Sequence, residues 1–529
     1  MNRRNSVLNS KFQTSNFKQI SNSKIRNRKE IVSAAVLLLT FASFTLLKAQ
    51  GIRISGANRA EYWVFVDENL DTLNYKEHFE DKLKLSFQYG DILLHGVFFL
   101  WEPSLPNTDR LKYFDYTAQY KKDPVNVLYG TYYTTFGRGL VLNAFLDEDF
   151  RNDNSLYGLK ADIRYFNSQL TLLSGKPRNI FFEENTYFVK NDTTDQLRGV
   201  NIETKLIPRT KLAGRYVRVN RTEDMTPKAF TELFGGNIGV NIGPIESYFE
   251  YAQRLGTYPV IGGRLKGEAL YFTTGLAIPG LGISFQFLDY DTIGLGGAGY
   301  RYNEPPTPIK SGISVNRGIN EIGYGISLFY SPIDMATIEV ENNKVTTHDT
   351  TLNYFGQIFE INDDMDGVLE QTIKIQTYPS YDLEIVGAVD RLVKQGIEAG
   401  IEKKTETKPN VEVTYNLGPF FIETGYEHNL ISSDTSDYYE HAISFSLGKP
   451  ERFVLSLRYE RRNRIPGWLV SKYGEELSWP LAELSLDLTT RHNLRIRVGA
   501  EKGGLVCSGG VCRFEEPFKG VKMVLTSIF

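Results

Sequence analysis

The stretch Lys82-Leu83-Lys84-Leu85-Ser86-Phe87-Gln88-Tyr89 puts Leu83, Leu85, Phe87 and Tyr89 on one face of an extended chain and Lys82, Lys84, Ser86 and Gln88 on the other. A period of two with this purity defines a strand with one apolar side. The pattern recurs. Val200, Ile202 and Leu206 oppose Asn201, Glu203 and Lys205; Phe453, Leu455, Leu457 and Tyr459 oppose Val454, Ser456, Arg458 and Glu460; Leu494, Ile496 and Val498 oppose Arg495 and Arg497. Beyond residue 50 no apolar run is long enough for a transmembrane helix. Tyr 31 and Phe 33, set against Met 5, enrich the strand formers and argue against a helical bundle. A length of 529 residues would allow three or four ordinary domains, but large barrels break that prior. Charged residues at 23% argue against disorder of the whole chain, and a formal charge of −3 gives no reason to expect nucleic acid.

The first fifty residues read as processing information. Arg3, Arg4, Lys11, Lys18, Lys24, Arg26, Arg28 and Lys29 come without an acid, Ile31 to Leu47 is free of charge, and Ala49 offers a small residue at a cut. This predicts a signal peptide over 1–49, with an N-terminal membrane anchor as the alternative. Removal of 1–49 takes nine of the 60 Lys/Arg and one of the 63 Asp/Glu, leaving a mature chain near −11. Residues 50–529 are then expected to form a single barrel domain.

The connections carry topology. Tight turns are expected at Gly90-Asp91, Asp123-Pro124, Asn167-Ser168, Pro208-Arg209, Gly243-Pro244, Pro279-Gly280, Pro332-Ile333-Asp334, Pro379-Ser380, Gly418-Pro419, Gly448-Lys449-Pro450 and Arg491-His492-Asn493. Longer polar segments alternate with them, at 138–155, 178–193, 292–319, 347–368 and 461–479 among others. Tight turns at one rim and long loops at the other describe a transmembrane antiparallel β-barrel. Each of the eleven turns joins a descending to an ascending strand, so with the first and last strands the count is even and about 24, within a range of 20–26.

A soluble sandwich would also alternate. Three observations favour the membrane barrel: strand segments of the ~9–11 residues a bilayer needs, aromatics near strand ends such as Tyr89, Trp101 and Tyr459, and a chain that stops in mid-strand. In that last strand Val521, Met523, Leu525 and Phe529 share one face. The ending resembles the C-terminal recognition strand of bacterial outer-membrane barrels, which the barrel assembly machinery reads; Ser527 departs from the usual apolar residue. Lipid offers no water to unpaired edges, so the last strand must pair with the first, near Ile54 to Val66.

A narrower resemblance lies at Gly503-Gly504-Leu505-Val506-Cys507-Ser508-Gly509-Gly510-Val511-Cys512-Arg513. This loop, together with Phe136-Gly137-Arg138-Gly139-Leu140-Val141-Leu142 and Asp149-Phe150-Arg151-Asn152-Asp153-Asn154, resembles an uncharacterised family of large outer-membrane β-barrels from Bacteroidota. The resemblance implies a fold and a location, the outer membrane of a Gram-negative bacterium. It brings no activity.

Chemical motifs are few. Cys507 and Cys512 enclose four residues and are expected to form a structural disulfide in an oxidising compartment, with free thiols as the alternative; no His stands near to suggest a metal. Asn362-Asp363-Asp364-Met365-Asp366-Gly367 imitates a calcium loop but meets Ile373 where a bidentate Glu is required. Asp147, Asp149 and Asp153 form an oxygen-rich cluster that is a weak metal candidate beside the reading as a hydrated loop. Six scattered His accompany no nucleophile signature, so neither an enzyme nor a cofactor is expected.

Two functional classes remain. One is a porin-like or export channel with a polar lumen lined by Lys82, Lys84, Glu203, Lys205, Arg458, Glu460, Arg495 and Arg497. The other is a surface or assembly barrel whose long loops serve a partner rather than a solute. At ~24 strands side chains alone cannot fill the bore, so a loop folded inward is expected in either case. The partners expected are outer-membrane lipid, the assembly machinery and an unidentified solute or surface partner.

Overall fold

The computed structural model describes residues 51–66, 75–102, 111–148, 152–183, 186–191, 195–205, 207–220, 230–257, 264–293, 303–311, 313, 315, 318–348, 366–398, 401–464, 477–508, 511–515 and 517–529. The expected leader, Asp149 and most of the calcium-like stretch lie outside them.

Twenty-four antiparallel strands close into one barrel. They are β1 Ile52–Val66, β2 Tyr75–Tyr89, β3 Ile92–Glu102, β4 Leu111–Lys122, β5 Val125–Tyr132, β6 Leu156–Tyr165, β7 Ser168–Glu183 and β8 Gln196–Thr204. Next come β9 Thr210–Asn220, β10 Phe230–Ile242, β11 Ile245–Thr257, β12 Arg264–Ile278, β13 Leu281–Asp291, β14 Asn320–Ile333, β15 Ala336–Thr346 and β16 Gly367–Ser380. The ring is completed by β17 Leu383–Glu398, β18 Ile401–Leu417, β19 Phe420–Ser433, β20 Asp437–Lys449, β21 Phe453–Arg462, β22 Ser478–Thr489, β23 His492–Glu501 and β24 Phe518–Ile528. Every one of the eleven expected tight turns joins a consecutive pair, from β2–β3 to β22–β23, and the strand ends that flank the expected long segments lie at the opposite rim.

Closure is a register fact. β24 pairs with β23 on one side and with β1 on the other, from Ala57 opposite Ile528 to Phe65 opposite Gly520. Phe529 completes it: its carbonyl accepts from Gly56 N–H at 2.8 Å and its N–H donates to Gly56 O at 3.0 Å. No edge is left at this seam to recruit another chain.

The pleat sorts side chains to two surfaces. Leu94, Phe98, Leu172, Tyr216, Phe249, Ile443, Tyr459, Met523 and Leu525 project outward and are exposed, which makes an apolar band around the wall. Two expectations are corrected in detail. Trp101 is not a girdle residue: it shares the inner face of β3 with Phe99, is buried, and meets the His78 ring edge-on at 5.7 Å. Leu85 faces outward yet is only 4% exposed. It lies between Gly56 and Gly96 in the register, and the rings of Phe529 and Phe114 lie over those glycines, within 2.7 and 3.0 Å of where a Cβ would stand. Aromatic side chains thus roof the bare backbone on either side of it.

Candidate functional site

Toward the long-loop rim the inner surface of β7 to β13 carries a dry apolar core. After Tyr132 the chain leaves the wall, and it returns at Leu156, which pairs with Tyr132 in the register. Between them a short hairpin, Thr134–Phe136 with Leu142–Ala144, crosses the lumen. Phe136, Leu140, Val141 and Leu142 are buried there against Leu173, Leu197, Val217, Val219 and Leu233 of the wall. Burying each such side chain is worth roughly 1.5–3 kcal/mol, enough to hold an inward loop against its ordering entropy.

Two glycines make the tip possible. Gly137 has φ 65°, and a Cβ on it would stand 1.5 Å from Arg215 Nη1 and 2.2 Å from Glu250 Oε1. Gly139 has φ 95°, with the Glu304 carbonyl oxygen 2.5 Å from a Cβ. Only glycine fits both the conformation and the space.

Beneath the tip lies an ion pair with no water around it. Arg215 Nη1 donates to Glu250 Oε1 at 2.6 Å, both side chains being 0% exposed. Glu250 Oε2 accepts from Tyr248 Oη at 2.6 Å and from the Arg138 N–H at 2.9 Å. Arg215 also donates to Asn237 Oδ1, and the Arg138 guanidinium sits 5.2 Å over the Tyr248 ring. Desolvating such a pair is costly, and these hydrogen bonds offset much of the cost, although Arg215 Nε is left without a partner among the described residues. The loop backbone is one of the ligands of Glu250, so the latch is complete only with the loop inside.

A second segment joins the first. Glu304 N–H donates to Gly139 O at 3.1 Å, and Asn303 Nδ2 donates to Leu140 O at 2.7 Å. Tyr290 Oη on β13 holds Pro306 O at 2.8 Å. Farther along, Glu370 on β16 accepts from the N–H groups of Lys310 and Ser311 at 2.7 and 2.9 Å. The sequence reading missed Arg215, Glu250 and Glu370. Its available signal was an Arg flanked by apolar neighbours in Gly214-Arg215-Tyr216-Val217, which alternation alone treats as ordinary.

The expected lumen residues occupy the inner face and are divided among several ion pairs. Lys82 meets Glu148 at 3.2 Å, and Lys84 also binds Glu148. Burial pushes the Glu148 carboxyl up, but Lys84 and Lys82 outweigh it and hold the group below its ordinary value. Glu203 accepts from Lys211 at 2.6 Å and, with Lys205, lines a cavity of about 590 Å³ under the loop tip. Arg458 pairs with Glu427 at 3.3 Å and Glu460 at 3.6 Å. Arg495 and Arg497 share Glu483 at 3.5 and 2.6 Å.

The remaining candidates are placed as follows. Asp153 accepts from Ser155 N–H at 2.9 Å and Tyr133 Oη at 3.3 Å, so its oxygens serve the loop. Asp147 lies opposite Asn152. Among the described residues no group of three or more His, Cys, Asp or Glu is arranged to hold a metal. Cys507 stands directly opposite Cys512 in the hairpin Gly504–Ser508 with Val511–Glu515. Opposed residues of antiparallel strands have Cα atoms ~4.5–5.5 Å apart, inside the span of a disulfide. Val521, Met523 and Leu525 share the outer face with the Phe529 ring.

Fold and site together define a large closed antiparallel barrel with its own loops packed inside. Residues 29–303 match a family of unknown function (DUF6029), and the chain belongs to that family. No curated protein matches it. Among solved structures it is similar to the E. coli P pilus tip assembly intermediate PapC-PapD-PapK-PapG, at TM-score 0.50 and 9% identity over 89% of this chain and 60% of that one. It is similar also to the P pilus usher (PapC) translocation pore, at TM-score 0.47 and 10% identity over 90% and 98%. The siderophore receptor PirA from Pseudomonas aeruginosa gives TM-score 0.44 and 9% identity over 90% and 80%. At these identities the likeness concerns the fold alone.

Proposed function

We propose that the protein is an outer-membrane channel, exported by its leader, whose conducting path runs along one side of the bore. The observation that carries this reading is the change in the inner wall on β18, β19 and β21 to β23, toward the tight-turn rim. There the inward positions carry ion pairs open to water, such as Lys408–Glu427 at 2.7 Å with side chains 41% and 29% exposed, rather than a dry core. Charged side chains in a wet bore bias which solutes pass. Tight turns then face the periplasm and long loops the outside. Planar-bilayer recordings with an ion and sugar panel test the proposal: discrete conductance steps whose cation-to-anion preference moves with Arg495→Gln are expected. A silent, correctly folded protein would favour the surface-barrel alternative.

In the same reading Cys507 and Cys512 are joined in the oxidising space outside the cell. Alkylation and mass spectrometry without reductant should find no free thiol; two labelled cysteines would rule the bond out.

A further inference from the structure

The barrel wall is incomplete near the long-loop rim. β4 pairs with β5 from Lys122 up to Thr117, opposite Gly130; above that level, among the described residues, Leu111–Tyr116 pairs with β3 alone. β5 has turned into the lumen after Tyr132, and β6 starts only at Leu156. β7, however, continues upward to Glu183. Above Leu156, among the described residues, β7 is met on this side only by Ser155 O, which accepts from Arg178 N–H at 2.8 Å, and by the bridge of Asp153 to Ile180. On its facing side β4 has no described neighbour there, and the gap is spanned by a side chain, Arg178 of β7, which binds Asp115 of β4 and donates to Thr131 Oγ1 at 3.1 Å.

A cavity of about 710 Å³ opens at this gap. Its outer part is aromatic, with Phe114 53% and Tyr116 39% exposed, and Tyr157 hydrogen-bonded to Tyr116 through their hydroxyls at 2.5 Å. Its far side carries Lys176 and Arg198, both exposed on the outer face. Arg198 lies directly opposite Arg218 in the register, an arrangement of like charges that costs stability. Arg218 has Glu232 at 2.8 Å, whereas among the described residues neither Lys176 nor Arg198 has a carboxylate in ion-pair range.

We propose that this notch binds one anionic phospholipid or phosphoglycolipid of the surrounding leaflet, with its phosphate on Lys176 and Arg198 and its acyl chains against Phe114, Tyr116 and Tyr157. Charge complementarity selects the occupant: an apolar, aromatic floor beside two unneutralised cations at the level where a membrane changes from hydrocarbon to headgroup suits an amphiphile with a negative head. The Arg178–Asp115 contact closes the wall behind it, so the site faces the membrane rather than the bore. The inference rests on the outer-membrane reading above.

The test uses the full-length protein in phosphatidylcholine vesicles containing phosphatidylglycerol and a trace of photoactivatable phosphatidylglycerol, with crosslinks mapped by mass spectrometry. Flotation and heat-modifiable migration are measured first; a protein that does not insert refutes the membrane reading, not merely this site. In inserted protein, label is expected on segments 111–122 and 156–165, and on the order of tenfold less in K176Q/R198Q. K176R/R198K should retain it. Equal labelling of K176Q/R198Q, equal labelling by a photoactivatable phosphatidylcholine, or complete displacement by millimolar inorganic phosphate would each overturn the proposal.

Discussion

The two sides of the bore obey the same alternation and put it to opposite uses. On β7 to β13, inward Leu173, Leu197, Val217, Leu233 and Leu288 are as apolar as outward Leu172, Tyr216 and Phe234. On β19 to β23, inward Glu427, Arg458, Glu483 and Arg497 are charged. What differs is the material against the inner face. Where the loops lie, the wall needs a core; where water lies, it needs charge. Among the described residues, the apolar filling of a barrel too wide for its own side chains lies against β7 to β13.

The largest break in this comparison is expected from Arg215→Leu. It strands Glu250 as an unpaired buried charge, at a cost of roughly 3–5 kcal/mol. The barrel should still form, but the loop should leave the lumen, seen as new trypsin cleavage at Arg138 and a larger conductance. Leu233→Ala on the dry side should cost roughly 2–5 kcal/mol and loosen the loop in the same assay, since the wall cannot collapse into the space. Gly137→Ala should follow, at about 1–2 kcal/mol for its left-handed backbone alone and more for the collision with Arg215. Arg495→Gln on the wet side should change stability by less than ~1 kcal/mol and alter only reversal potential. If Leu233→Ala and Arg495→Gln destabilise equally, the two sides do not differ as argued.

The smallest effect concerns acid. The carboxyl of Glu148 lies below its ordinary value, so its grip on Lys82 and Lys84 is complete above the unfolded carboxylate value of ~4.3 and is lost as pH falls through the folded value. Its half-exposed position means that water screens much of the energy. Between pH 7 and near pH 3.5 the conductance of Glu148→Gln should therefore shift slightly less than that of the native protein, because the other bore carboxylates titrate in both.

Much of the fold was legible because it depends on local rules. Eleven turns and period-two runs suffice to count strands, and the turn chemistry at Gly243-Pro244 or Gly418-Pro419 does not depend on anything distant. The inner filling was not legible, for a physical reason. Val217 and Val219 alternate with Arg218 and Asn220, so the outward face looks polar and the inward face apolar, the reverse of Leu85 and Lys84. Whether such an apolar face meets lipid or a loop depends on residues such as Phe136 and Leu140, some eighty positions away. Trp101 misled similarly: it stands near a strand end, but its parity, not its position, sends it inside to His78.

The base of the crossing loop is one register pair, Tyr132 with Leu156. Both ends of the occupying segment are therefore stitched to neighbouring staves, and the segment can swing but cannot depart. Its release and return are first-order events, with rates independent of how much protein is present. The vacated bore cannot lose its stopper to dilution, and no second copy can supply one. Any stimulus that opens this side must work against a tethered hinge.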